Sequence, residues 1–163
     1  GYPPSVFAEL PRLLERAGPG PEGCAGSITL IATVLVEGDD HDEPIADAVR
    51  GVLDGHVVLD RAIAERGRFP AMDVLRSLSR TVPGVLDPPQ RELALRARRI
   101  LALQAEMAEL VRLGAYRAGT DREVDAALSI APRIEALLAQ GKGEATALDD
   151  AFAALAEVLD AAA

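Results

Sequence analysis

The chain has 163 residues, 49% of them hydrophobic, enough for one medium domain or two small packed units and too apolar for wholesale disorder. Acids outnumber bases 26 to 17, a net charge of −9, which is the wrong sign for a protein that tracks nucleic-acid phosphates. One cysteine (Cys24) excludes an internal disulfide, two histidines exclude a His-rich metal cage, and no apolar run approaches the roughly 20 residues of a membrane helix. Lacking a disulfide, the chain reads as cytosolic; with aromatics at 3% its core must be aliphatic.

The chain opens Gly1-Tyr2-Pro3-Pro4, without Met or a signal-type segment, and reads as a cut inside a longer protein. Ser5 is expected to cap a short helix whose apolar positions are Leu10, Leu13, Leu14 and Ala17, with Pro11 kinking or restarting it. Gly18 to Pro21 is a loop by composition. Ser27 to Glu37 is nearly continuous in apolar residues and predicts a strand buried on both faces, as in a parallel sheet. Pro44 falls at a first helical position, followed by a stripe of Ile45, Ala48, Val49, Val52 and Leu53. Residues 56–59 predict a second buried strand, residues 61–66 a short helix closed by Gly67, and residues 70–74 a third extended piece. Alternating strands and helices are the α/β pattern.

Beyond residue 82 the period is helical throughout. Asp87-Pro88-Pro89-Gln90 reads as a capping box opening a long helix that Gly114 stops. Thr120 and Glu123 read as a second box, and Pro132 as the start of a separate helical piece running to Gly141. Thr146 is expected to cap a last helix bearing Leu148, Phe152, Leu155 and Leu159. The expected fold is therefore α/β plus α: a sheet-containing segment over residues 1–82, then a helical bundle over residues 83–163.

Three stretches could carry chemistry. Residues 37–43 hold five acids, Glu37, Asp39, Asp40, Asp42 and Glu43. They read as an exposed loop favouring a helix N-terminus, as a partner-contact loop, or as a divalent-metal site, although the spacing is not that of a calcium loop. Arg80, ending Ser77-Leu78-Ser79-Arg80, is either a phosphate clamp or a surface ion-pair residue. Gly141-Lys142-Gly143 lacks the full phosphate-loop pattern and a preceding strand, so it reads as a helix break.

Several stretches carry a resemblance in order and spacing: Gly1 to Phe7, Gly26 to Thr29, Val34 to Asp40, Pro44 to Asp47, Leu53 to Leu59, Phe69 to Asp73, Ser77 to Arg80 and Leu113 to Asp121. Together they resemble the C-terminal portion of the type III protein-export ATPases, flagellar and injectisome. That family is similar to the catalytic subunits of rotary ATP synthases. The wording of the acidic loop looks more flagellar than injectisome.

The resemblance implies an incomplete RecA-like, P-loop NTPase parallel-sheet core segment followed by a C-terminal helical domain. It also implies a cytoplasmic hexameric ring, peripheral at the export apparatus, that hydrolyses ATP with Mg²⁺. Hydrolysis there supports unfolding, release and export of secretion substrates, with a central stalk protein, export chaperones, cargo and a membrane export gate as partners, and without nucleic acid. Arg80 holds the place of an arginine finger supplied to the neighbouring subunit, worth about 10³-fold or more in rate. Phe69 holds the place of an adenine-stacking aromatic, against the alternative of a core aromatic. The second adenine-side segment falls near Gln140, where this chain has no aromatic. The acidic loop, and Tyr116 and Arg117 after the long helix, match stalk-facing loops.

The family's phosphate-binding loop, catalytic glutamate and Mg²⁺-supporting aspartate lie upstream of Gly1. The chain alone is therefore expected to bind no cofactor tightly and to be inactive in hydrolysis. An open sheet edge would also favour self-pairing. The competing readings are a non-catalytic helical docking module for cargo, chaperone or stalk, and a rotary ATP synthase subunit.

Overall fold

Local punctuation sets most element boundaries in the computed structural model, which describes residues 3–23, 25–36, 38 and 43–161. The chain divides into two units, residues 1–56 and 57–163.

In the first unit, α1 (Pro4–Leu14) packs with α2 (Pro44–Val52). The N-cap of α1 is Pro3, with Pro4 as the first helical residue, and Ser5 lies inside the helix instead of capping it. Proline's fixed φ suits a first turn without a side-chain cap. Pro11 neither ends nor restarts α1; its carbonyl still accepts from the Glu15 N–H at 2.9 Å. Pro44 opens α2 as expected, and Ile45, Ala46 and Val49 are buried. The expected stripe is cut short, because Val52 is exposed.

Two short strands, β1 (Gly18–Pro19) and β2 (Ser27–Ile28), pair antiparallel with Gly18 opposite Ile28. Here the sequence expectation fails. The buried strand expected over residues 27–37 contracts to two residues, and residues 29–36 form no strand. Ile31 is 92% exposed and Leu35 77%. An extended segment can be buried only when its backbone groups find partners other than bulk water, and among the described residues this run pairs with no strand beyond β1.

β3 (Gly55–Leu59), which runs into the second unit, pairs with β4 (Met72–Ser79). β3 is not buried on both faces: Val58 is buried, whereas Val57 and Leu59 are exposed. Between the strands, α3 (Arg61–Glu65) is capped by the Asp60 carboxylate, which accepts from Ala62 N–H at 2.7 Å and Ile63 N–H at 3.3 Å. Gly67, at φ 83, makes the left-handed turn that ends it. β4 is longer than the extended piece expected at residues 70–74 and carries the chain to Ser79.

A short α4 (Val82–Val85) precedes α5 (Pro88–Arg112), which opens with a complete Asp87/Gln90 capping box and stops at Gly114, φ 68. α6 (Arg122–Leu138) is capped by Asp121, not Thr120; the Asp121 carboxylate accepts from Glu123 and Val124 N–H. α6 runs unbroken through Pro132, against the expected restart. An interior proline costs about 3 kcal/mol. Here it sits on an exposed position between Ile130, Ala131 and Ile134, all buried, whose packing outweighs that cost. α7 (Leu148–Asp160) starts after Ala147 without a side-chain cap, so Thr146 does not serve as one.

The core joins these helices through Ala97 and Leu101 of α5, Ile130, Ala131 and Ile134 of α6, and Leu159 of α7. Val74 and Leu75 of β4 pack against the same core, which fixes the strand to the bundle. Arg96 secures the end of α7 by donating to Leu159 C=O at 2.7 Å and Asp160 Oδ1 at 3.1 Å.

Candidate functional site

Three places in the second unit carry the candidate residues, and each is built by a different device. The first is the loop between α3 and β4. Its Phe69–Pro70 peptide is cis, and Phe69 is 57% exposed, so it is not buried as a core aromatic. Phe69 C=O accepts from the Gln140 N–H at 2.7 Å. Two residues chosen for the base end of a nucleotide, 71 positions apart in sequence, are thus adjacent in space.

Arg68 lies under this loop with its side chain 12% exposed. Its Nε meets Glu135 Oε2 of α6 at 2.6 Å, Nη2 donates to Met72 C=O at 2.9 Å, and Nη1 donates to Pro70 C=O at 3.4 Å. Beyond Gln140, Gly141 N–H donates to Glu144 Oε2 at 2.7 Å, and the Gly-Lys-Gly segment is a turn between α6 and α7, as a helix break should be.

The second place is the far end of β4, where the strand is held by side chains. The Asp73 carboxylate accepts from Leu75 and Arg76 N–H at 2.9 and 3.0 Å. Ser77 Oγ donates to Asp73 C=O and accepts from Val58 N–H of β3. Arg98 of α5 donates to the carbonyls of Val74, Leu75 and Ser77. Three residues after Ser77, Arg80 is exposed and leads into α4, and Ser79 and Thr81 share a hydroxyl hydrogen bond at 3.0 Å. An exposed guanidinium on a strand end braced this way is suited to meet an anion brought from outside.

The third place is the loop from Leu113 to Asp121. The single Tyr116 hydroxyl proton is shared between Asp125 Oδ1 at 2.9 Å and Asp121 C=O at 3.1 Å, while Asp125 Oδ2 accepts from Gly119 N–H at 2.8 Å. Desolvation, reinforced by the Asp125 carboxylate, raises the phenol above its ordinary value near 10. Tyr116 thus braces its own loop, while Arg117 and Leu113 are exposed. Of the acidic loop, Glu43 is the N-cap residue of α2; Glu37, Asp39, Asp40 and Asp42 lie outside the described residues.

Among the described residues, no three His, Cys, Asp or Glu side chains group where a metal ion could sit. No described helix is long and apolar enough to cross a membrane. Sequence reasoning missed Arg68, Glu135, Asp73 and Arg98. Arg98 stands in a run with Arg96 and Arg99, and no spacing marks which of the three turns inward. Arg68 does adjoin Phe69, and that adjacency was the one available signal.

Residues 1–79 match the ATP synthase alpha/beta family, nucleotide-binding domain, and residues 86–157 match the T3SS EscN ATPase C-terminal domain. Over 98% of its length the chain is 58% identical to the flagellum-specific ATP synthase of Caulobacter vibrioides, of which it covers 37%. The assembled ATPase EscN from the type III secretion system of enteropathogenic E. coli is 39% identical over 97% of this chain, with a TM-score of 0.88 and 38% of EscN covered. EscN in complex with its central stalk EscO is similar at 38% identity over 98% of the chain, with a TM-score of 0.83 and 37% covered. The chain thus spans little more than a third of the length of these relatives.

Proposed function

Because this chain belongs to the family of flagellum-specific ATP synthases and type III secretion ATPases, we propose that it forms part of an ATP-hydrolysing ring that drives protein export. The flagellar side of the family is favoured by the 58% identity to the Caulobacter protein. In this reading Phe69 stacks on the adenine of its own subunit's nucleotide, with Gln140 beside it. Arg80 reaches the γ-phosphate held by the neighbouring subunit, where its fixed charge stabilises the transferring phosphoryl group. Mg²⁺, when bound, neutralises charge on the phosphates. Its ligands are not proposed among the described residues of this chain.

One observation carries the assignment. Phe69 precedes β4 and Arg80 follows it, so an eight-residue strand lies between them. At about 3.3 Å per residue that separation is on the order of 20 Å. The two residues thus stand beyond opposite ends of β4, which supports their serving different nucleotides at an interface between subunits.

Residues 113–121 and the acidic loop are proposed to face a central stalk; the EscN–EscO complex supports this reading. Export chaperones, cargo, a membrane export gate and a peripheral cytoplasmic location belong to the same proposal. A functional boundary near residue 82 does too, supported by the separate matches at 1–79 and 86–157.

The test uses the full-length protein that contains this chain. Arg80→Ala should lower kcat by about 10³-fold while nucleotide binding persists. Mixing Arg80→Ala subunits with subunits that lack the phosphate-loop lysine should restore part of the turnover. Equal turnover by Arg80→Ala and the parent makes Arg80 a surface charge; loss without restoration on mixing argues against action between subunits.

A further inference from the structure

Phe69 is an exposed residue, so packing does less to orient its ring than the backbone that carries it. That backbone is tethered at three points. Arg68 holds Pro70 C=O and Met72 C=O, on the β4 side of the ring, and is itself held by Glu135. Gln140 N–H holds Phe69 C=O. Glu135 lies in the last turn of α6, and Gln140 lies just beyond that helix. The guanidinium is a planar fork that can meet a carboxylate and two carbonyls at once. The Arg68 side chain is 12% exposed and Glu135 45%, so the guanidinium is shielded while its carboxylate partner still meets solvent.

We infer that Arg68 and Glu135 are positioning residues, forming a cinch by which α6 fixes the Phe69 ring for stacking on the nucleotide base. The inference rests on the reading of Phe69 as the stacking residue. It makes the end of α6, a helix of the bundle, part of the support of the nucleotide site. A shift of α6 would move the ring's loop through both Glu135 and Gln140.

The experiment compares ATP with inorganic tripolyphosphate, which has phosphates but no base, on the full-length assembled protein. Phe69→Ala should raise KM for ATP about tenfold, the size of one lost base–aromatic stack. Arg68→Ala should raise it about fivefold and Glu135→Gln two- to threefold, with kcat within about twofold, the pattern of lost uniform binding. Arg68→Lys keeps the charge opposite Glu135 but not the fork, and should fall between parent and alanine variant. Inhibition by tripolyphosphate should stay within about twofold of the parent throughout, because the base end alone is disturbed.

If Phe69→Ala raises KM while Arg68→Ala and Glu135→Gln leave it at the parent value, the cinch is wrong and the stacking role stands. If Phe69→Ala leaves KM unchanged, the stacking role fails, and this inference with it. Should tripolyphosphate weaken in step with ATP in the Arg68 and Glu135 variants, the pair supports the whole site structurally, and the inference is overturned. Where Arg68→Ala fails to fold, Arg68→Lys and Glu135→Gln carry the same comparison.

Discussion

Two apolar stretches, residues 28–36 and residues 124–138, meet opposite fates in this chain. In the second, Val124, Ala127, Ile130, Ala131 and Ile134 are buried, the last four at 4% exposure or less. In the first, Ile28, Leu30, Ile31 and Leu35 are all exposed. The difference lies in who satisfies the backbone. A helix closes its own N–H···O=C bonds and needs only a partner for one face, which α5 and α7 supply. An extended run needs a neighbour for its backbone before its side chains can be buried. Hydrophobicity states a demand for cover; only the rest of the fold decides whether it is met.

The comparison can be attacked at its strong end first. Leu159 is fully buried at the junction of the three long helices, so Leu159→Ala should cost about 3 kcal/mol, read as a lowered urea midpoint. A loss below about 1 kcal/mol would mean the bundle is loosely packed in solution. Next comes the start of α6, where cap and neighbour can be separated. Asp121→Ala should cost about 1 kcal/mol, whereas Thr120→Ala should stay within about 0.5 kcal/mol, because Asp121 alone accepts from the first-turn N–H groups. Reversal of that order would restore Thr120 as the cap. The smallest effect belongs to the uncovered run: Ile31→Ser should change stability by no more than about 0.5 kcal/mol. A larger loss, especially one that grows with protein concentration, would show that the run finds cover by pairing between copies.

The same contrast explains what the sequence made legible. The Asp87 box, Gly67, Gly114 and the proline at the start of α2 were readable because each acts within one helical turn of itself. Pro132 misled for the opposite reason, since the packing of Ile130 and Ile134 overrides a local breaker. At the candidate site, Arg80 stood out as a phosphate clamp or a surface ion-pair residue from its own setting, Phe69 and Gln140 came forward only through resemblance to a family, and the structure brings Phe69 and Gln140 together. Arg68 with Glu135, and Arg98 with β4, are pairings across long stretches of chain. No periodicity encodes them, because any of several surface-type charges at those positions fits the same pattern.

Arg98 has a bearing on how the sheet ends. A strand edge with unoccupied carbonyls is a template on which a foreign strand can grow. On β4 the carbonyls of Val74, Leu75 and Ser77 are already taken by one guanidinium projecting from α5, and Asp73 claims two of the N–H groups nearby. An incoming peptide would have to evict a partly buried cation before it could add a rung. The arginine therefore works as a seal over the carbonyls of Val74, Leu75 and Ser77.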